Sequence, residues 1–183
     1  MFFYKEAKPQ IQENEGFQMA YKNKETLRQF WEEGFNKGNL ELIPQIVAPD
    51  FVNHAGGQGT GPDNIVGVIS MLRDAFHPFD MSPGEMVDET DPQGIARLIN
   101  DLSEHDQMAV RKALNGGEKM VLARATQSGT FSQGTFQGYQ PTQRSFTDET
   151  HTHAFRFDGD GHIVEHWVTR NDPDRLRQLG ISE

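Results

Sequence analysis

The chain of 183 residues contains no cysteine. That excludes a disulfide framework, a zinc–thiolate site and a thiol nucleophile. Positive charge is also scarce: 17 Lys and Arg stand against 27 Asp and Glu, for a formal net charge of −10. A duplex-binding surface needs clustered cations to release counterions from phosphate. The densest basic stretch, "RNDPDRLR", interleaves its arginines with acids. Nucleic acid and anionic membrane surfaces are therefore not expected partners. No apolar run approaches the roughly 20 residues that a membrane span requires. The start, "MFFYKEAKPQ", turns charged by residue 5 and lacks the apolar core of a signal peptide, so a cytoplasmic location is expected. No nucleophile elbow or P-loop occurs. "GGQGTG" precedes a helix but has no lysine, and is expected to form a rim loop.

Residues 1–22 show no sustained periodicity and read as an N-terminal arm; residues 23–183 read as one domain. Leu27, Phe30, Trp31 and Phe35 recur at helical spacing, which predicts a helix over Asn23–Asn36 with Asn23 as its cap. A short helix follows, ended by Pro49, and "DFVNHAGGQGTG" reads as a loop. Pro62 and Asp63 open a further helix to Phe76, with Ile65, Ile69 and Leu72 on its apolar face. Residues 82–116 read as an inserted, acidic segment holding two short helices with a break near Ser103. After Gly117 the pattern alternates by two, predicting strands, and "DPDRLRQLG" closes the chain as a helix. Helices first and strands later, without βαβ alternation, indicate an α+β fold built on an antiparallel sheet.

The stretch "THTHAFRFDGDGHIVEHWVTRND" holds four of the seven histidines. It reads as a hairpin turning at "DGDG". Pairing Phe157 with His162 sets His153 opposite His166 and His151 opposite Val168. One face then carries His151, His153, Phe155, Phe157, His162, Val164, His166 and Val168; the other carries Ile163, Trp167 and Thr169. Imidazoles in an apolar wall can move protons near neutral pH. A three-histidine metal site is the alternative, requiring ligand nitrogens ~2.0–2.1 Å from one ion. Asn53 and His54, which end the apolar "DFV" run, are candidates to open into the same cleft. An outer face bearing Ile163 and Trp167 needs a cover, from a helix or from another subunit, and a homo-oligomer, most simply a dimer, is expected.

"DFVNHAGGQGTGPDNI", "GTFQGYQPTQRSFTDE", "FRFDGDGHIVEHW" and "RLRQLG" together resemble the SnoaL-like polyketide cyclases (ester cyclases) of the nuclear-transport-factor-2-like superfamily. The resemblance runs from about Asn23 to Gly180. It implies a cone-shaped α+β barrel, a curved antiparallel sheet wrapped by N-terminal helices around an apolar pocket, with oligomers formed through the sheet's outer face. It also implies cofactor-free aldol ring closure, in which an Asp just after the "HW" pair serves as acid and base. Carried over, the pair is His166 and Trp167, the strand histidine is His153, and the polar loop position is Asn53 or His54. The acid position holds Val168, which cannot move a proton, and Gln143 stands where the family often has glycine.

The expected protein is thus a cyclase- or isomerase-type enzyme using His166 as base together with His153. Asn53, His54, His151, Phe155, Val164 and Val168 are expected around a polyketide-like or enolisable carbonyl substrate, with no metal or organic cofactor. A non-catalytic small-molecule binder on the same scaffold and a histidine-metal enzyme remain as alternatives, since fold alone does not choose among them.

Overall fold

The computed structural model describes residues 12–55, 59–114 and 119–181. Residues 1–11 of the expected arm and 56–58 of the glycine-rich loop lie outside the described residues. The first helix, α1 (Gln12–Gln29), starts well before Asn23. Asn23 therefore sits inside the helix, 1% exposed, rather than capping it. From Phe30 to Asn36 the winding widens to a π-helix. Its i→i+5 bonding brings Phe35 back over Phe30, where the rings meet edge-on at 5.1 Å. Both rings, with Trp31, face the core. Asn36 then pins this helix end to the sheet: its Nδ2 donates to the Met81 carbonyl at 3.0 Å and its Oδ1 accepts from the Met81 N–H at 2.7 Å.

A turn of 3-10 helix leads into α2 (Ile43–Ile46). The expected loop after Pro49 is instead a strand, β1 (Val47–Asn53), followed by β2 (Gly59–Thr60). Helix α3 (Gly61–Ala75) matches the predicted one within a residue at each end. Strand β3 (Phe76–Asp88) then takes up the first part of the segment read as an insertion. Prolines at 78 and 83 hid it from pattern reading. They are tolerated because β3 is the last strand of the sheet, where a missing N–H breaks no outer ladder. The helical insertion itself is α4 (Pro92–Asn100) and α5 (Glu104–Leu114). Strands β4 (Met120–Phe131), β5 (Ser145–Phe157) and β6 (Ile163–Thr169) follow, and α6 (Asp172–Gln178) ends the described fold.

The six strands form one curled sheet in the order β2-β1-β6-β5-β4-β3. Every pair is antiparallel except β1 with β6, which is parallel. Helices α1 and α3 close the concave side over a core that includes Leu27, Ile69, Phe76, Phe131 and Phe155. Among the described residues no helix is long and apolar enough to cross a membrane.

The convex side carries its own apolar layer. Leu98, Ile99 and Val110 of α4 and α5 pack on Val87, Met120, Leu122 and Ala154, with Trp167 beside them. The Arg156 Nη2 donates to the Ala113 carbonyl at 2.9 Å and fastens the end of α5 to the sheet. Of the two covers expected for the outer face, a helix or another subunit, the helical insertion supplies one. Trp167 lies beside the insertion, and Ile163, 1% exposed, belongs to the inner core. At Gln143, φ is +59°, a backbone region that glycine enters without steric cost, which accounts for the glycine common at this position in the family it resembles.

Candidate active site

The hairpin's turn decides which side chains reach the cavity. The Asp158 N–H donates to the His162 carbonyl at 3.0 Å, while the Asp158 carboxylate accepts from the N–H groups of Asp160 and His162 at 2.9 Å. Asp158, not Phe157, therefore closes against His162, and Phe157 pairs with Ile163. A register irregularity follows, since Arg156 pairs with Glu165. The two one-residue shifts add up to two, so faces are restored beyond the bulge. His166 pairs with Phe155 and Val168 with His153, rather than His153 with His166. Before the bulge the faces are exchanged: Ile163 turns inward, and His162 and Val164 leave the wall. Val164 consequently does not line the cavity.

The cavity measures ≈ 500 Å³, within the roughly 300–1,000 Å³ usual for small-molecule sites. Phe30, Trp31 and Phe35 form one side, and Ile65, Val68 and Leu72 of α3 another. Its third wall carries polar groups: Asn53, His151, His153 and His166 from the sheet, beside Val168, with Arg170 and Arg175 at one end. Ala123 and Ala125 lie opposite His153 and His151 on β4, and their small side chains leave room for the imidazoles. Phe155 lies behind this wall. It stacks on His166 at 4.5 Å and on His153 at 5.8 Å, supporting both rings without lining the space. His54 faces away, because neighbouring residues of a strand alternate sides. Its ring stacks on Trp167 at 4.4 Å and its Nε2 lies 3.2 Å from Glu165. The polar position at the end of β1 is thus Asn53.

The hydrogen bonds fix the proton positions of the wall. Asn53 Nδ2 donates to Asn64 Oδ1 at 2.9 Å, and its Oδ1 accepts from the Ala55 N–H at 3.1 Å, which orients the amide. His166 Nδ1 lies 3.2 Å from that same Oδ1, an acceptor only, so it carries a hydrogen. His166 Nε2 then has a lone pair and accepts from His153 Nδ1 at 2.9 Å. Both nitrogens of His166 are engaged. His153 is left with a lone pair on Nε2, buried and without a protein partner. The Trp31 indole, edge-on at 5.4 Å from the His153 ring, has an equally unpartnered Nε1–H.

Burial holds both imidazoles neutral. His166 is pushed down to about 3, first by desolvation and then by the positive charges of Arg170, His151 and His54. His153 is held well below the usual range by desolvation, then His166, His151 and Arg170. Unfolding returns both to an ordinary imidazole near 6.5. Below that pH the unfolded chain binds protons that the folded chain does not. Stability is therefore full above about pH 6.5 and falls as the pH drops, by up to about 1.4 kcal/mol per pH unit for each histidine, the His166 share running down to about pH 3. Urea unfolding at pH 7 and pH 5 should show this loss, and a His153→Gln/His166→Gln variant should show a flatter dependence.

Sequence reasoning missed Trp31 as a polar group, and it missed Glu149, Gln127 and Arg175. Glu149 and Gln127 pair across β5 and β4 on the inner face, and both are 3% exposed. Arg175 comes from α6, whose start is capped by the Asn171 side chain accepting from Asp174 N–H. Its Nη1 donates to Gln127 Oε1 at 3.3 Å, and its charge lies 4.8 Å above the Phe136 ring. The alternation that marked His151 and His153 extends back to Glu149 and could have revealed it.

Residues 99–179 match the family model described as SnoaL-like polyketide cyclase. No curated protein matches the chain. Among solved structures, IdmH of Streptomyces antibioticus, a candidate polyketide cyclase, is 26% identical with a TM-score of 0.60, over 86% of this chain and 98% of that one. A candidate SnoaL-like polyketide cyclase from a Jannaschia species is 14% identical with a TM-score of 0.66, over 98% and 100% of the two chains. AclR of Streptomyces galilaeus, a candidate hydroxylase, is 20% identical with a TM-score of 0.62, over 90% and 99%. Residues 99–179 thus resemble the SnoaL-like polyketide cyclases in sequence, and nearly the whole chain shares its α+β fold with a candidate member of that family.

Proposed function

We infer that the protein is a cofactor-free acid–base catalyst of the cyclase or isomerase type, acting on a polyketide-like carbonyl compound. The observation that carries this is the uncommitted lone pair of His153 Nε2, buried beside a largely apolar cavity. The base role thereby passes from His166, whose nitrogens are both engaged, to His153, which His166 orients. His153 Nε2 takes a proton from the carbon beside a carbonyl, and the Trp31 N–H is a donor for the carbonyl oxygen. A base whose charged form is so disfavoured matches an acidic C–H, which points to a β-keto ester or β-diketone rather than a simple ketone. The resemblance to ring-closing cyclases, and to the candidate polyketide cyclase IdmH, fits that substrate class.

Val168 in place of the family's carboxylate favours a second reading, a binding protein without turnover. Self-association, expected from an open outer face, would have to use a surface that α4 and α5 leave free. The test of function is α-proton exchange of ethyl benzoylacetate in D2O, followed by NMR at pH 7 with a chelator present. Exchange above the buffer rate supports catalysis. Saturable binding with no exchange supports the binder.

A further inference from the structure

We propose that Glu149, acting through His151, supplies the proton-donating position that the family's carboxylate would occupy at residue 168. This rests on the reading of His153 as the base. Val168 pairs with His153, and His151 is the next inward residue along β5, so His151 stands one step along the same wall. Glu149 is the next inward residue again. Its Oε1 lies 3.3 Å from His151 Nε2 and its Oε2 lies 3.3 Å from Arg175 Nη1, both within ion-pair distance but off hydrogen-bond geometry. A buried carboxylate is strongly disfavoured unless a partner compensates its charge. Here the partners are one permanent cation and one imidazole that lines the cavity.

Titratable and charged groups face His151 from three elements. From its own strand come Glu149 and His153; from β6 and the residue after it come His166 and Arg170; from α6 come Arg175 and Asp172. Arg170 and Arg175 each pair with Asp172. Glu149 and Asp172 balance the two arginines, so the cluster is neutral before His151 takes a proton. Protonated His151 would be paired by charge with Glu149, 3.3 Å from its Nε2, and would leave its Nδ1–H for the cavity that it lines. An enolate forming there would then face one positive charge held in place by a carboxylate.

The step balances. His153 Nε2 takes the α-proton, and the C–H electron pair becomes the enolate or attacks a second carbonyl carbon. The π pair of the accepting carbonyl moves to oxygen, which takes the Nδ1 proton of His151. Return of the proton from His153 to His151 restores both groups. Glu149 touches no reacting atom and is a positioning residue.

The experiment uses ¹⁵N-histidine protein with no ligand, titrated by long-range ¹H–¹⁵N NMR as wild type, Glu149→Gln and Glu149→Asp. The same proteins are assayed for ethyl benzoylacetate exchange. His151 should titrate at lower pH in Glu149→Gln than in wild type, with Glu149→Asp between them. The kcat for exchange should fall roughly 10–100-fold in Glu149→Gln, with KM little changed. An unmoved His151 titration overturns the proposal whether or not the protein turns over. So does a moved titration with unchanged kcat. If wild type shows no exchange, the His153 reading fails and the donor role fails with it, while the titration still decides whether Glu149 governs the charge of His151. Should Glu149→Gln not fold, His151→Gln must show the same loss of kcat at constant KM, or the proposal is overturned.

Discussion

His153→Gln is expected to lower the α-proton exchange rate of ethyl benzoylacetate by about 10²–10⁴-fold, the range for loss of a general base. Glutamine occupies similar space but brings no basic nitrogen. The cavity, the Trp31 donor and the polar end of the wall remain, so substrate binding should change little and the loss should fall on kcat. His166→Gln is expected to cost less. It leaves His153 Nε2 in place and removes only the acceptor that fixes the His153 tautomer at 2.9 Å. A larger loss for His166→Gln than for His153→Gln would return the base role to His166.

Arg175→Met is expected to destabilise the fold by about 3–5 kcal/mol, the usual cost of removing one member of a buried ion pair. The Arg175 side chain is 3% exposed and that of Glu149 1%. Without the guanidinium, the Glu149 carboxylate keeps His151 at 3.3 Å but no cation among its described ion-pair partners, and Gln127 loses the Arg175 donor. A drop in the urea midpoint at pH 7 measures the effect. Adding Glu149→Leu should recover most of it, because the uncompensated charge then disappears. Loss of equal size in the single and double variants would mean that Arg175 contributes by packing on Phe136 rather than by charge.

Much of the fold is readable from the sequence because its strongest signals are amphipathic. The spacing of Ile65, Ile69 and Leu72 locates α3, and the two-residue alternation after Gly117 locates β4, β5 and β6. Strand β3 escaped because Pro78 and Pro83 normally argue against a strand, and only its place at the sheet edge makes them tolerable. The histidine wall was legible in its composition and in its face. Its register was not, since that depends on Asp158 hydrogen bonds and on a bulge, neither of which alternation reveals. Because the two shifts sum to an even number, His153, His166 and Val168 kept their side while Val164 and Ile163 exchanged theirs. The partners Trp31, Glu149 and Arg175 come from three separate elements, and only the folded chain brings them to one cavity.

Long-range ¹H–¹⁵N NMR of the wild-type protein at pH 7 gives the most direct test, because it reads where each imidazole proton sits. The hydrogen-bond chain from Asn53 through His166 to His153 predicts a hydrogen on Nδ1 of both rings and a bare Nε2 on His153. A His153 ring protonated on Nε2, whether neutral or charged, would contradict it, since the cavity would then hold no base at that position.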